Sequence, residues 1–533
     1  MDQIELMRKV GQLIMVEIPG KQLTEETAAF IRECHPAGVV LFGTNWRGPW
    51  AMTKLIADLQ AVAAEAGDDP LIIGMDQEGG QVSHLRYPCV EMPSAMARAA
   101  AGIDTVRESA EILGREMVRL GINMAFAPVA DVNNNHDNPV IGARAFSDDP
   151  AVVCACTTAT VEGLRKSGVL SMAKHFPGHG DTSVDSHVGL PSVSHGWDRM
   201  REVELAPFRA AIEAGVDSII TAHVVYPCID DSGLPATLSP TLMTGLLRDE
   251  LGFKGALISD ALVMDAIARR DSANIPPAAI AAIQAGNDCA MLLGSLGTQR
   301  NTYDALVDAV QNNAITEARL TQSVERMRAL RLRVASPDSH AAWPDMEHLR
   351  AARRIALAGI TLVRDNDGLL PLQGDGDGLG VIEFPSGRIA AVEGARNEPL
   401  NGSLLALLLG RRLPEARFLA LPSLAPFAAD ILAEFASGCD RIIVATRNAQ
   451  LDHEQAGLLS QLVDLAGGRP IVQVAMRGPY DAELEPRIGT VLLTYGDQPD
   501  SVAALVDVLL GDAQATGKAP VSLDTPGRVE VQL

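Results

Sequence analysis

Eight short apolar runs, rich in β-branched residues and spread through residues 1–334, constrain this chain more than any other feature. They are Gln12 to Val16, Gly38 to Phe42, Leu71 to Asp76, Met124 to Asp131, Val169 to His175, Ser218 to His223, Ala256 to Asp260 and Cys289 to Leu293. Between them lie amphipathic stretches at helical spacing, such as Thr24 to Cys34, Met52 to Ala66, Thr105 to Leu120, Val203 to Ala214 and Ser239 to Leu251. Several of these close on glycine, as at Gly121, Gly168 and Gly286, where a left-handed residue ends a helix at little cost. Strands alternating with helices build a parallel sheet covered by its crossovers, and eight repeats predict a closed (β/α)8 barrel.

Five of the runs end in polar residues: Asp76, Asp131, Lys174 with His175, His223, and Ser259 with Asp260. The C-terminal strand ends of such a barrel form its active-site face, so five distant stretches converge on one place. For Asp131 the reading stays open between a structural strand end and a functional group. For His223 it stays open between lining the pocket and packing a neighbouring loop.

The densest polar stretch, Lys174 to His187, follows the fifth run and holds three of the chain's eleven histidines. Pro177, Gly178 and Gly180 make it a loop over the barrel mouth rather than a helix. One reading is a metal-dependent hydrolase in which His175, His179 and His187, with Asp185, supply ligands. Against it, two imidazoles four residues apart share a face only on a helix. The other reading pairs Asp185 with His187 as an acid–base dyad, the carboxylate orienting an imidazole that titrates near neutrality. Asp260, ending the seventh run, then supplies a nucleophilic carboxylate able to attack an anomeric carbon.

The Lys174–His187 stretch resembles the K-H-F-P-G-H-G-D-T-x-x-D-S-H signature of bacterial family 3 glycoside hydrolases of the β-N-acetylglucosaminidase type. Gly74-Met75-Asp76-Gln77-Glu78-Gly79-Gly80, Ala127-Pro128-Val129-Ala130-Asp131-Val132, Asn138 to Arg144 and Ser259 to Met264 agree in order and spacing. The resemblance implies retaining hydrolysis that releases terminal N-acetylglucosamine, with Asp260 as nucleophile and His187, supported by Asp185, as general acid/base. It implies that Asp76, Arg144, Lys174 and His175 bind the terminal sugar, with no metal and no cofactor. One departure stands out. The family commonly has arginine where this chain has His84, which leaves Arg86 as the substitute, on a shifted loop.

After the helical stretch Ile315 to Arg333, residues 335–348 are polar, carry Pro337 and Pro344, and read as a linker. Residues 349–533 resume helical and β-rich runs, at Gly359 to Val363, Arg441 to Ala445, Ile471 to Ala475 and Gly489 to Leu493. They resemble the smaller α/β sandwich that follows the barrel in two-domain family members. In many β-glucosidase relatives that domain donates the acid/base, which the intact Asp185/His187 loop makes unnecessary.

A formal charge of -23 disfavours nucleic acid and anionic membrane surfaces as partners. A charged N-terminal segment and the lack of a long apolar run point to the cytoplasm. Seven cysteines, mostly single among apolar neighbours, suit reduced thiols, and Cys154 with Cys156 has no second pair to complete a zinc site. The expected partner is a small carbohydrate such as a muropeptide-derived sugar, while phosphate is the alternative acceptor because a histidine acid/base repels it less than a carboxylate would.

Overall fold

The computed structural model describes residues 2–334, 342–384, 403–421 and 427–523. Eight parallel strands close into a barrel: β1 (Ile14–Glu17), β2 (Gly38–Val40), β3 (Ile72–Met75), β4 (Met124–Ala125), β5 (Leu170–Phe176), β6 (Ser218–Thr221), β7 (Ala256–Ala261) and β8 (Cys289–Leu292). Each falls on one of the apolar runs. The ring is sealed where Ile14 of β1 stands opposite Ala290 of β8 and Met15 opposite Gly38 of β2. These strands are buried on both faces, which is why they read as unbroken apolar runs rather than as alternation.

Inside the ring, Met15, Phe126, Met172, Ile258 and Met291 form one packed cluster. The Phe126 ring lies so close to Gly74 that a Cβ there would come within 2.4 Å of it, so this strand position admits only glycine. Outside, the helices start and stop where the local chemistry directs. Thr24 caps the helix Glu25–Cys34, and the helices Ile103–Leu120 and Pro150–Ser167 end on Gly121 and Gly168 in left-handed conformations. The stretch expected as a helix over Ser239 to Leu251 is wound as a π-helix from Thr241 to Glu250.

At the opposite end of β8 from the active-site face, Asp288 is fully buried and gathers three guanidinium groups. Its oxygens accept from Arg248 (2.6 Å), Arg319 (2.7 Å) and Arg326 (3.0 Å), and from the N–H of Leu257 (3.0 Å). This cluster ties the start of β8 to β7 and to the helix Glu317–Arg331 that closes the barrel.

The second domain is a three-layer α/β sandwich. Its sheet runs in the order β9 (Thr361–Asp365), β14 (Thr490–Leu493), β13 (Ile471–Ala475), β12 (Arg441–Thr446), β10 (Leu379–Glu383), β11 (Arg417–Ala420), with only β9 antiparallel to its neighbour. The four β-rich runs seen in the sequence are β9, β12, β13 and β14. Helices Ala428–Ser437 and His453–Ala466 cover one face, and Leu404–Gly410 and Pro499–Leu509 the other. Of the linker, residues 335–341 lie outside the described residues, and the next helix begins at Met346. No helix among the described residues is long and apolar enough to cross a membrane.

Removing the Asp288 charge leaves three guanidiniums against a buried amide. Asp288→Asn is expected to destabilise the barrel by about 3–5 kcal/mol, the usual cost of breaking a buried ion pair. Chemical denaturation of the purified protein reads this directly.

Candidate active site

The polar strand ends meet as the barrel geometry requires, and they organise around three buried carboxylates and the half-buried Asp260. Lys174, near the end of β5, points its ammonium at Asp76 and at Glu78, the latter 2.6 Å away. Arg144 grips the same Glu78 carboxylate through two parallel bonds, Nε at 2.9 Å and Nη2 at 2.8 Å. Burial would raise the Glu78 carboxyl, but Arg144 and Lys174 outweigh it and hold the group down at about 2. Burial likewise opposes the charge on Lys174, and Asp76 with Glu78 overcomes it and pushes that ammonium up. Glu78, Arg144 and Lys174 are therefore all ionised.

Glu78 is placed by a tight hairpin, Gln77–Gly79 against Val82–Ser83, whose turn needs Gly79 and Gly80 in the left-handed region. The Gln77 amide pins this hairpin by donating to Ser83 Oγ (2.8 Å) and accepting from the N–H of His84 (2.9 Å).

Asp131, just beyond β4, is buried beneath the start of the histidine loop. It accepts from the backbone N–H of His175 (3.2 Å) and of His179 (2.7 Å), and from His175 Nδ1 (2.7 Å). This fixes the tautomer of His175 and leaves its Nε2 for a ligand. Desolvation of Asp131 is overcome by the two histidines, which keep its carboxyl low. The residue left open in the sequence is thus the anchor of the loop.

Farther along the loop, His187 Nδ1 lies 2.8 Å from Asp185 Oδ1, and the same oxygen accepts the His187 backbone N–H at 2.9 Å. Both bonds close within three residues and neither uses His187 Nε2. The carbonyl of Ser186 accepts the N–H of Ala266 (3.2 Å), which ties the loop to the chain that follows Asp260. Burial would raise the Asp260 carboxyl, yet His223, His175 and His187 with the Ala261 N–H outweigh it and hold Asp260 below an ordinary aspartate. His223 has both nitrogens engaged by protein, Nδ1 with Thr237 Oγ1 (2.8 Å) and Nε2 with the Ala261 carbonyl (3.1 Å). It buttresses β7 beside Asp260.

The histidine loop is not arranged as a ligand cage. His179 spends its nitrogens on Thr182 Oγ1 (2.8 Å) and Ser186 Oγ (3.2 Å), and burial pushes its imidazole down to about 4. Among the described residues no three His, Cys, Asp or Glu side chains are grouped to hold a metal ion.

Two residues change the picture drawn from sequence. Glu78 was only part of a quoted motif, though its position two residues past Asp76 was the available signal. His84 is buried edge-on against Phe42, with ring centroids 5.5 Å apart, and lies within electrostatic reach of Asp76, Lys174 and Glu78. Arg86 is partly exposed beside it, donating to the Leu85 carbonyl (3.1 Å) and facing Glu91 at 3.7 Å.

This barrel, which gathers the low-lying Asp260 carboxylate, an imidazole–carboxylate pair and a charged cradle at its C-terminal strand ends, defines a glycoside hydrolase of the retaining kind. The profile described as "Glycosyl hydrolase family 3 N terminal domain" matches residues 5–330, and the chain belongs to this family. It is 31% identical to the Beta-hexosaminidase A of Pseudoalteromonas piscicida over 94% of this chain and 92% of that one. It is 33% identical to the Beta-hexosaminidase of Stenotrophomonas maltophilia (strain R551-3) over 58% of this chain and 90% of that one. The solved glycoside hydrolase family 3 beta-N-acetylglucosaminidase from Paenibacillus sp. str. FPU-7 superposes with a TM-score of 0.89 at 34% identity, over 97% of this chain and 98% of that one.

Two outcomes follow from the electrostatics. Glu78→Gln, which unbalances Arg144 and Lys174, is expected to lower kcat/KM about 100-fold, the scale of losing one member of a buried charge pair. Because Asp260 is held ionised, the acid limb of a kcat/KM–pH profile falls lower than an ordinary aspartate would give. A limb at or above the ordinary carboxylate range would show that the histidines do not govern Asp260.

Proposed function

We propose that this protein is an exo-acting retaining β-N-acetylglucosaminidase that releases terminal N-acetylglucosamine from β-glycosides. The observation that carries the reading is that Asp260, held ionised, lies within electrostatic reach of His187, whose imidazole is oriented by Asp185. Asp260 attacks the anomeric carbon as His187 passes its Nε2 proton to the departing glycosidic oxygen; the carbon–oxygen bond breaks and a glycosyl–Asp260 ester forms. His187, now neutral, takes a proton from water, whose oxygen attacks the ester and releases the sugar with its original configuration. Asp185 keeps the imidazole oriented throughout.

Asp76, Arg144, Lys174 and His175 bind the sugar hydroxyls, and Arg86 reaches the substrate from the rim. In the cradle, Glu78 holds Arg144 and Lys174 charged and aimed, so that hydrogen bonds to the ring strengthen as it flattens toward the oxocarbenium-like state. Residues 1–334 form the catalytic domain, joined by 335–348 to the domain at 349–533. The substrates in view are soluble cell-wall fragments, handled in the cytoplasm. The named relatives support water as the acceptor in preference to phosphate.

The test is turnover of p-nitrophenyl N-acetyl-β-glucosaminide and of the glucoside, each with and without phosphate. Selective release of free N-acetylglucosamine is expected; phosphate-dependent formation of its 1-phosphate would overturn the choice of acceptor. Asp260→Ala is expected to abolish turnover on every substrate. His187→Ala should spare glycosides with good leaving groups, which need little protonation, and slow poor ones by about 100-fold or more.

A further inference from the structure

The strip of chain from Asn133 to Asn138, which follows β4, is the surface on which the histidine loop rests. The Asn138 amide donates to the carbonyls of His179 and Gly180, both at 2.9 Å, and the Asn135 amide to the carbonyl of Thr182 at 3.2 Å. Gly180 is pressed so tightly on the strip that a Cβ there would lie 1.7 Å from the Val132 carbonyl oxygen. The loop can sit no better than the strip beneath it.

The other side of this strip is held by the second domain. Tyr480, in the turn Pro479–Glu483 after β13, stacks its ring on His136 with centroids 3.8 Å apart, and its hydroxyl accepts from the Asn133 amide at 2.9 Å. That turn is itself locked: Asp481 accepts the Gln450 N–H (3.0 Å), and the Gln473 amide donates to the Asp481 carbonyl (2.8 Å). A second grip lies nearby. Ser147, whose carbonyl accepts the Asn133 N–H (3.0 Å), donates its hydroxyl to the Pro520 carbonyl, and Asp148 accepts the Ser522 N–H at 2.7 Å.

The geometry points to Tyr480 as a positioning residue for proton transfer: the second domain braces the Asn133–Asn138 strip and thereby sets where the histidine loop delivers His187. The inference rests on the glycosidase reading and on His187 as the acid. The contacts of Tyr480 go to Asn133 and His136, so it acts on the loop through the strip. Its effect therefore falls on the step that needs an accurately placed proton, and spares a step that does not.

The experiment compares kcat/KM for chitobiose, a poor leaving group, with that for 2,4-dinitrophenyl N-acetyl-β-glucosaminide, a good one, in the full-length wild type, Tyr480→Ala, Tyr480→Phe and His136→Ala. The chitobiose-to-aryl ratio is expected to fall about tenfold in Tyr480→Ala, part of the 10²–10⁴ that a general acid supplies. His136→Ala, at an exposed site, and Tyr480→Phe, which keeps the ring, should fall between it and wild type. A domain contact that only stabilises the protein would change both substrates alike and leave the ratio unmoved. An unchanged ratio in folded His136→Ala and Tyr480→Phe overturns the inference while wild-type cleavage keeps the glycosidase reading; a wild type that cleaves neither substrate overturns both.

Discussion

Closing eight parallel strands into a ring forces their C-terminal ends to share one small area, and every functional contact in this protein depends on that closure. Lys174 and Asp76, 98 positions apart, become hydrogen-bond neighbours without any long loop to carry them. The ring also sets a cost. Five strand ends bring charged or titratable side chains into a space where water is scarce, and charges there persist only when they are paired.

The charge pattern answers that demand in two halves. In one half, Asp76 and Glu78 face Lys174 and Arg144, two carboxylates against two cations. In the other, Asp131 and Asp185 are each bonded to an imidazole and Asp260 lies within electrostatic reach of three, with no permanent cation among them. The first half, with Glu78 held low and Lys174 and Arg144 held high, suits a fixed cradle. The second pairs its carboxylates with histidine, the side chain generally suited to two-step proton transfer.

Much of this was legible in the sequence because it is local. Each barrel strand is a run, each run ends on the residue it presents, and the Asp185–His187 pair is separated by a single residue. What escaped was non-local or disguised. Glu78 meets Arg144 across 66 residues of sequence, and Tyr480 meets Asn133 across 347. No spacing rule reaches that far in a single sequence. Asp131 was indistinguishable from a structural strand end until its carboxylate was seen to accept from the backbone of the histidine loop. In the sandwich, β10 hid behind the glycine- and aspartate-rich stretch before it, and β11 is an edge strand, partly exposed, whose Arg417-Phe418-Leu419-Ala420 carries little alternation.

The compactness of the Asp185–His187 pair has a consequence for how the protein can be altered. Because the carboxylate travels on the same short segment as the imidazole, the orientation of the ring is fixed inside a portable unit. Where that unit points is set by its neighbours. Ring orientation and aim are thus separately adjustable, so changes to the surrounding scaffold can redirect the pair without rebuilding it.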